Sequence, residues 1–155
     1  MTTARTPPGQ APTHRVVVGI DGSEGSNHAL EWAASEAARM GAVLETHTSY
    51  DPGYVFISSQ EVHQAMQHRL DEAAKHIADL APGLVFKGVI DEGSAAKFLV
   101  EASKGADLLV VGSRGLGGFS GLLLGSVSQQ CSLHAHCPIV IVRPPDGAGN
   151  DEVSS

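Results

Sequence analysis

A chain of 155 residues with 42 % hydrophobic side chains is the size of one domain with a real core. Aromatic residues make up only 5 %, so aliphatic side chains and alanine must fill that core. A formal net charge of −7 excludes the profile of a nonspecific nucleic-acid or anionic-membrane binder, but not a nucleotide ligand, whose phosphates need only local donors.

In chain order, residues 1–13 carry prolines and no periodicity, and are expected to form a disordered tail before a domain at 14–144. Arg15–Asp21 is a continuous apolar run ending in an acid, the pattern of a parallel strand covered on both faces. Gly22–Ser26 is a turn in which Ser23 or Ser26 can cap a helix. That helix runs to Met40 on Ala29, Ala33 and Ala37, and stops at Gly41. Ala42–Ser49 is a second strand, broken at Asp51-Pro52-Gly53, and Tyr54–Ser59 reads as a loop. A long helix over Ser59–Leu80 carries the stripe Val62, Met66, Ala73, Ile77, Leu80. Leu84–Asp91 is a third strand. Ala95–Lys104 is a helix with Phe98, Leu99 and Ala102 inward, and Asp107–Ser113 is a fourth strand. A fourth helix begins at Leu122 or Ser126 and reaches His134. Pro138–Arg143 is a fifth strand, and a polar tail is expected over 145–155. Strand and helix alternate throughout, which implies βαβ units and a parallel sheet between two helix layers.

The stretch Val110–Ser128, VVGSRGLGGFSGLLLGSVS, carries the chemistry. An apolar strand ends at Gly112, a glycine-rich loop follows, and Ser126-Val127-Ser128 opens a helix. Glycines let backbone N–H groups approach a ligand closely, and a helix N-terminus adds free donors and a favourable dipole; together these suit a phosphate. A Walker A loop fails, because Gly117 is followed by Gly118 rather than Lys. A dinucleotide fingerprint belongs after the first strand, and this loop follows the fourth.

The loop does contain Gly-x2-Gly-x9-Gly-Ser at Gly112, Gly115, Gly125 and Ser126. This resembles the nucleotide-binding motif of the universal stress protein family, in its ATP-binding branch, and the resemblance covers residues 13–144. It implies an α/β fold: a single doubly wound domain whose five-stranded parallel sheet has strand order 3-2-1-4-5, with helices on both faces. Ligands of such sheets bind where strand order reverses, here between strands one and four. That places Gly19 and Asp21 opposite Gly112, Ser113, Arg114, Gly115, Leu116, Gly117 and Gly118.

A carboxylate beside a phosphate repels it, so Asp21 either caps the following helix or meets a ribose hydroxyl or a cation; the resemblance implies the ribose role. Arg114 is either a phosphate partner or a solvated loop residue. The resemblance gives Gly125, Ser126, Val127 and Ser128 the phosphate, and the backbone at the end of strand two, near His47-Thr48, the adenine. Ile90 lines the base pocket or belongs to the core.

The expected cofactor is therefore ATP with Mg²⁺, in a cytoplasmic protein that acts by nucleotide occupancy with little or no turnover. The alternatives are a slow nucleotide hydrolase, or a family member that binds AMP or cyclic AMP. No catalytic constellation stands out, and the eight histidines fit no metal framework, reading instead as scattered surface residues. No membrane span is expected, and Cys131 and Cys137 read as plain thiols. The fifth strand is apolar and falls at a sheet edge, so a homodimer through 138–143 is expected both physically and from the resemblance.

Overall fold

The computed structural model describes residues 14–54, 56–116 and 123–145. The tails expected at 1–13 and 145–155 lie, but for Pro145, outside them. Five strands form one parallel sheet: β1 (Arg15–Gly19), β2 (Val43–Tyr50), β3 (Phe86–Glu92), β4 (Leu108–Gly112) and β5 (Ile139–Val142). Their order is β3-β2-β1-β4-β5, with four helices between them: α1 (Glu24–Met40), α2 (Ser59–Leu80), α3 (Ala95–Ala102) and α4 (Ser126–His134). This is the expected architecture.

The central strands explain the layers. Val16, Val17 and Val18 of β1 and Leu109 and Val110 of β4 are fully buried, so both faces of the sheet centre are covered. Side chains alternate across a strand. Val16, Val18, Leu44 and Val110 pack with α1 and α2, whereas Val17, Leu109 and Val111 pack with Leu99 of α3 and Cys131 of α4. α1 lies close to the sheet because Ala29, Ala33, Ala34 and Ala37 are its buried face. Ser23 is its N-cap, accepting from the Ser26 N–H, and Gly41 ends it at φ 66°.

α2 starts on a capping box between Ser58 and Glu61. Its buried stripe is Val62, Leu70, Ala73 and Ile77. Leu80, expected inward, is exposed, because the last turn of the helix stands next to the break at Ala81. α3 is shorter than expected: Ser103 turns its hydroxyl onto the Val100 carbonyl at 2.6 Å and also accepts from the His136 N–H. The expected loop at Tyr54–Ser59 begins as a single 3₁₀ turn, Pro52–Tyr54.

The two helix layers are unequal. α1 and α2 together cover all five strands, while α3 lies over β1 and β2 and α4 over β5. On the α3/α4 side, β2 and β3 therefore carry polar residues: Glu45, His47 and Ser49 alternate along β2, and Lys87 and Asp91 along β3. That asymmetry positions the site.

Candidate functional site

A cavity of about 490 Å³ opens at the carboxyl ends of the strands, on the α3/α4 side, where strand order reverses between β1 and β4. Its size is that of a small-molecule site. The structure brings most of the sequence-predicted residues to it. Gly19, Asp21, Gly112, Arg114, Gly115, Leu116, Gly125, Ser126, Val127 and Ser128 all line it. Gly117 and Gly118 lie outside the described residues.

Asp21 occupies the middle of the cavity and joins its two walls. Its Oδ1 accepts the Ser23 N–H at 2.8 Å, and its Oδ2 accepts the Leu116 N–H at 3.1 Å from across the strand reversal. Burial alone would raise its pKa. Hydrogen bonds from the Ser23 side chain and backbone, from the Leu116 N–H and from Ser26 outweigh burial and hold the carboxyl below its ordinary value. Asp21 is thus an ionised acceptor at neutral pH. It turns the β1–α1 corner by accepting from Ser23, which is itself the N-cap of α1, and its carboxylate oxygens keep further lone pairs.

The start of α4 is fixed to the end of β4 by one carbonyl. Ser113 C=O accepts the Gly125 N–H at 2.7 Å and the Ser128 hydroxyl at 3.0 Å. Ser113 therefore acts from behind the wall, and the Ser128 hydroxyl is engaged and buried. The N-cap Gly125 makes no side-chain cap, so the first-turn N–H groups of Ser126, Val127 and Ser128 have no intrahelical partner and no capping side chain. The exposed Ser126 hydroxyl and the exposed Arg114 stand beside them. This end of the cavity is an anion site in its chemistry.

The opposite end lies under α3. Ile20, Ala95, Leu99 and Val111 give it apolar walls, and His47, Ser49 and Asp91 give it a polar edge. The side chains of Thr48 and Ile90 both lie away from the cavity. Thr48 points to the α2 side, where its hydroxyl meets Arg69 at 2.9 Å and Met66, so its side chain does not line the cavity. Ile90 packs in the core cluster under α1 and α2. Both lie one residue out of register with the cavity face, and strand parity sends them to the other side. His47 is also not a surface histidine: it is buried, with Glu45 and Asp91 on its two ring nitrogens.

The glycines of this region are spacers as much as cradles. A Cβ on Gly112 would stand 3.0 Å from the Gly25 backbone, and one on Gly19 would stand 2.7 Å from Leu99. Both cysteines are free, and burial pushes the Cys131 thiol up to about 11. Among the described residues, no group of three or more His, Cys, Asp or Glu side chains is placed to hold a metal, and no helix is long and apolar enough to cross a membrane.

The model of the universal stress protein family matches residues 12–143, which takes in every strand and helix described above. The chain belongs to the universal stress protein family. A universal stress protein of Thermus aquaticus is 33 % identical over 136 residues, covering 83 % of this chain and 97 % of that relative. One of Mycolicibacterium smegmatis is 32 % identical over 152 residues, covering 91 % of this chain but 52 % of the relative. The chain spans about half the length of the mycobacterial universal stress proteins it matches. Among solved structures, a universal stress protein in complex with cAMP is 30 % identical, with a TM-score of 0.69 over 85 % of this chain and 98 % of its own.

Proposed function

We propose that this chain binds an adenine nucleotide, ATP foremost, across the β1/β4 reversal and acts through occupancy of that site. The observation that carries the reading is the division of one cavity into three chemistries along the sheet. A helix N-terminus with open N–H groups lies at one end, an ionised carboxylate in the middle, and an apolar slot with a polar edge at the other. Phosphates suit the first, a ribose hydroxyl the second, and a purine the third. The cAMP complex of the 30 % identical relative supports an adenine nucleotide.

The roles follow residue by residue. Ser126, Val127 and Ser128 offer backbone N–H groups to phosphate, with Arg114 and Gly115 on the facing loop. Asp21 takes a ribose hydroxyl. Mg²⁺ is a hard cation that keeps most of its water and is commonly held by nucleotide phosphates with one or two protein oxygens. Here the Ser126 hydroxyl is the neutral oxygen at the start of α4 and Asp21 the lining carboxylate bonded to the glycine loop. Occupancy rather than turnover is supported by the state of the lining groups. The described lining holds no lysine to neutralise a transferring phosphoryl group.

The test is what leaves the purified protein. Denaturation followed by mass spectrometry should release adenine nucleotide near one per chain, or millimolar ATP with Mg²⁺ should raise the melting temperature by several degrees. An empty chain with no thermal shift would overturn the reading.

Homodimerisation through β5 belongs to the same proposal. β5 is the sheet edge beyond β4, and its four residues are all half-buried. The carbonyls of Pro138 and Val142 point to β4, so those of Ile139 and Ile141 point outward, where an edge invites pairing. Ile141→Pro removes an outward N–H without touching the β4 ladder. Sedimentation should show a dimer for the parent and a monomer for the variant, each with parallel α/β circular dichroism. A variant that stays dimeric would rule out this edge.

A further inference from the structure

The slot under α3 holds a charge arrangement that the phosphate end does not need. His47 Nδ1 lies 2.7 Å from Asp91 Oδ2, and His47 Nε2 lies 2.7 Å from Glu45 Oε1. Each contact requires a proton between nitrogen and oxygen, so the imidazole is clamped from both sides. Glu45 is in turn paired with Arg15 of β1 at 3.2 Å and with Lys87 of β3 at 3.7 Å. All these groups lie on the α3/α4 face of the sheet, and the side chains of His47, Glu45 and Asp91 are 9 %, 9 % and 12 % exposed. The network reaches solvent through Lys87 and Arg15, whereas its end at the cavity is Asp91.

Three polar residues edge the slot: His47, Ser49 and Asp91. His47 has no ring nitrogen left over. Ser49 is neutral and stands beside Asp91 in the β2–β3 register. The Oδ1 of Asp91 has no hydrogen bond among the described residues, while its Oδ2 is held by His47. An ionised carboxylate accepts hydrogen bonds and donates none. The slot therefore presents one oriented, acceptor-only oxygen at its edge, between the apolar walls Ile20, Ala95 and Leu99.

We propose that Asp91, held in place by His47, is the base-reading residue of this site and accepts a hydrogen bond from the exocyclic 6-amino group of the purine. The assignment rests on the nucleotide reading above. Strand spacing supports the reach: neighbouring strands lie about 4.8 Å apart, so β3 stands about 10 Å from β1 and about 14 Å from β4. With ribose at Asp21 on β1 and phosphate at the β4/α4 end, the far edge of the base points toward β3. A glycosylated adenine has one good hydrogen-bond donor on its ring edges, the 6-amino group, and an acceptor-only partner can use no other.

The test is a double-mutant cycle between protein and ligand. AMP and purine riboside monophosphate, which lacks the 6-amino group, are titrated against the parent chain and Asp91→Ala by calorimetry. The parent should prefer AMP by about tenfold or more, the usual scale for a hydrogen bond to a charged group, and the preference should collapse to near onefold in the variant. Thermal melting of both proteins accompanies the titration. If Asp91→Ala does not fold, Asp91→Asn substitutes, and its neutral amide should leave a preference below that of the parent. A parent that binds both ligands equally, or a preference that survives at position 91 unchanged, overturns the assignment while leaving the site intact. A parent that binds neither ligand, nor ATP, overturns the nucleotide reading and this assignment with it.

Discussion

Gly115→Glu should lower nucleotide affinity at least tenfold while the fold survives. A Cβ on Gly115 runs directly into Asp21 Oδ2, the oxygen that also receives the Leu116 N–H. The added side chain therefore displaces the carboxylate assigned to ribose and breaks the contact that ties the glycine loop to β1. It also places a second negative charge beside an ionised Asp21, at the end of the cavity meant for phosphate. Like charges a few ångströms apart repel by about 1–4 kcal/mol depending on the local dielectric, which alone is about one to three powers of ten in affinity. Gly115 is an exposed loop residue with no positive φ, so the backbone itself tolerates a side chain and melting should shift by only a few degrees. Calorimetry with ATP, run beside a thermal melt, checks both halves. Unchanged affinity in a folded variant would remove this loop from the site.

The fold was legible because its signals are local and repeated. Val16–Val18 and Leu109–Val111 are continuous apolar runs, Ser23, Ser58 and Ser94 stand where helices begin, and Gly41 stands where one ends. The end of the cavity proposed for phosphate was legible for a related reason: Gly112 to Ser128 is one stretch of sequence, so spacing alone brings its parts together. The base end was not, because it is assembled across strands. Ser49 and Asp91 meet only through the β2–β3 register, and His47 reaches both Glu45 on its own strand and Asp91 on the next. A signal for it does exist in β2, where Glu45, His47 and Ser49 alternate with Leu44, Thr46 and Thr48. Taking that alternation as two faces separates the cavity residues from Thr48, which packs under α2 instead. Which face meets the ligand depends on α3 and α4 being shorter than α1 and α2, a tertiary fact that no window of sequence carries.

The same geometry makes Gly112→Val the variant with the largest expected effect on stability. The end of β4 and the first turn of α1 are held close by backbone meeting backbone. A Cβ at Gly112 would lie 3.0 Å from Gly25 C and O and 3.4 Å from the Ser26 N, and a Cβ at Gly25 would lie 2.9 Å from the Arg114 carbonyl. Neither neighbour is the tip of a flexible side chain that can swing aside, so a branched side chain must push the first turn of α1 off the end of β4. Valine suits a strand, so secondary-structure propensity does not offset the result. Overpacking of this kind costs about 1–3 kcal/mol, and contact with main chain on one side and a central strand on the other puts this site at the upper end. Melting should fall by about 5–10 °C, with Gly112→Ala in between. The displaced turn is capped by Ser23, which is bonded to Asp21, and the strand end leads into Ser113, whose carbonyl anchors α4. Nucleotide affinity should therefore fall along with stability, whereas Asp91→Ala should alter base preference and spare the phosphate end. A Gly112→Val chain that melts like its parent would show that the end of β4 and the first turn of α1 are not held in the close contact on which the whole site depends.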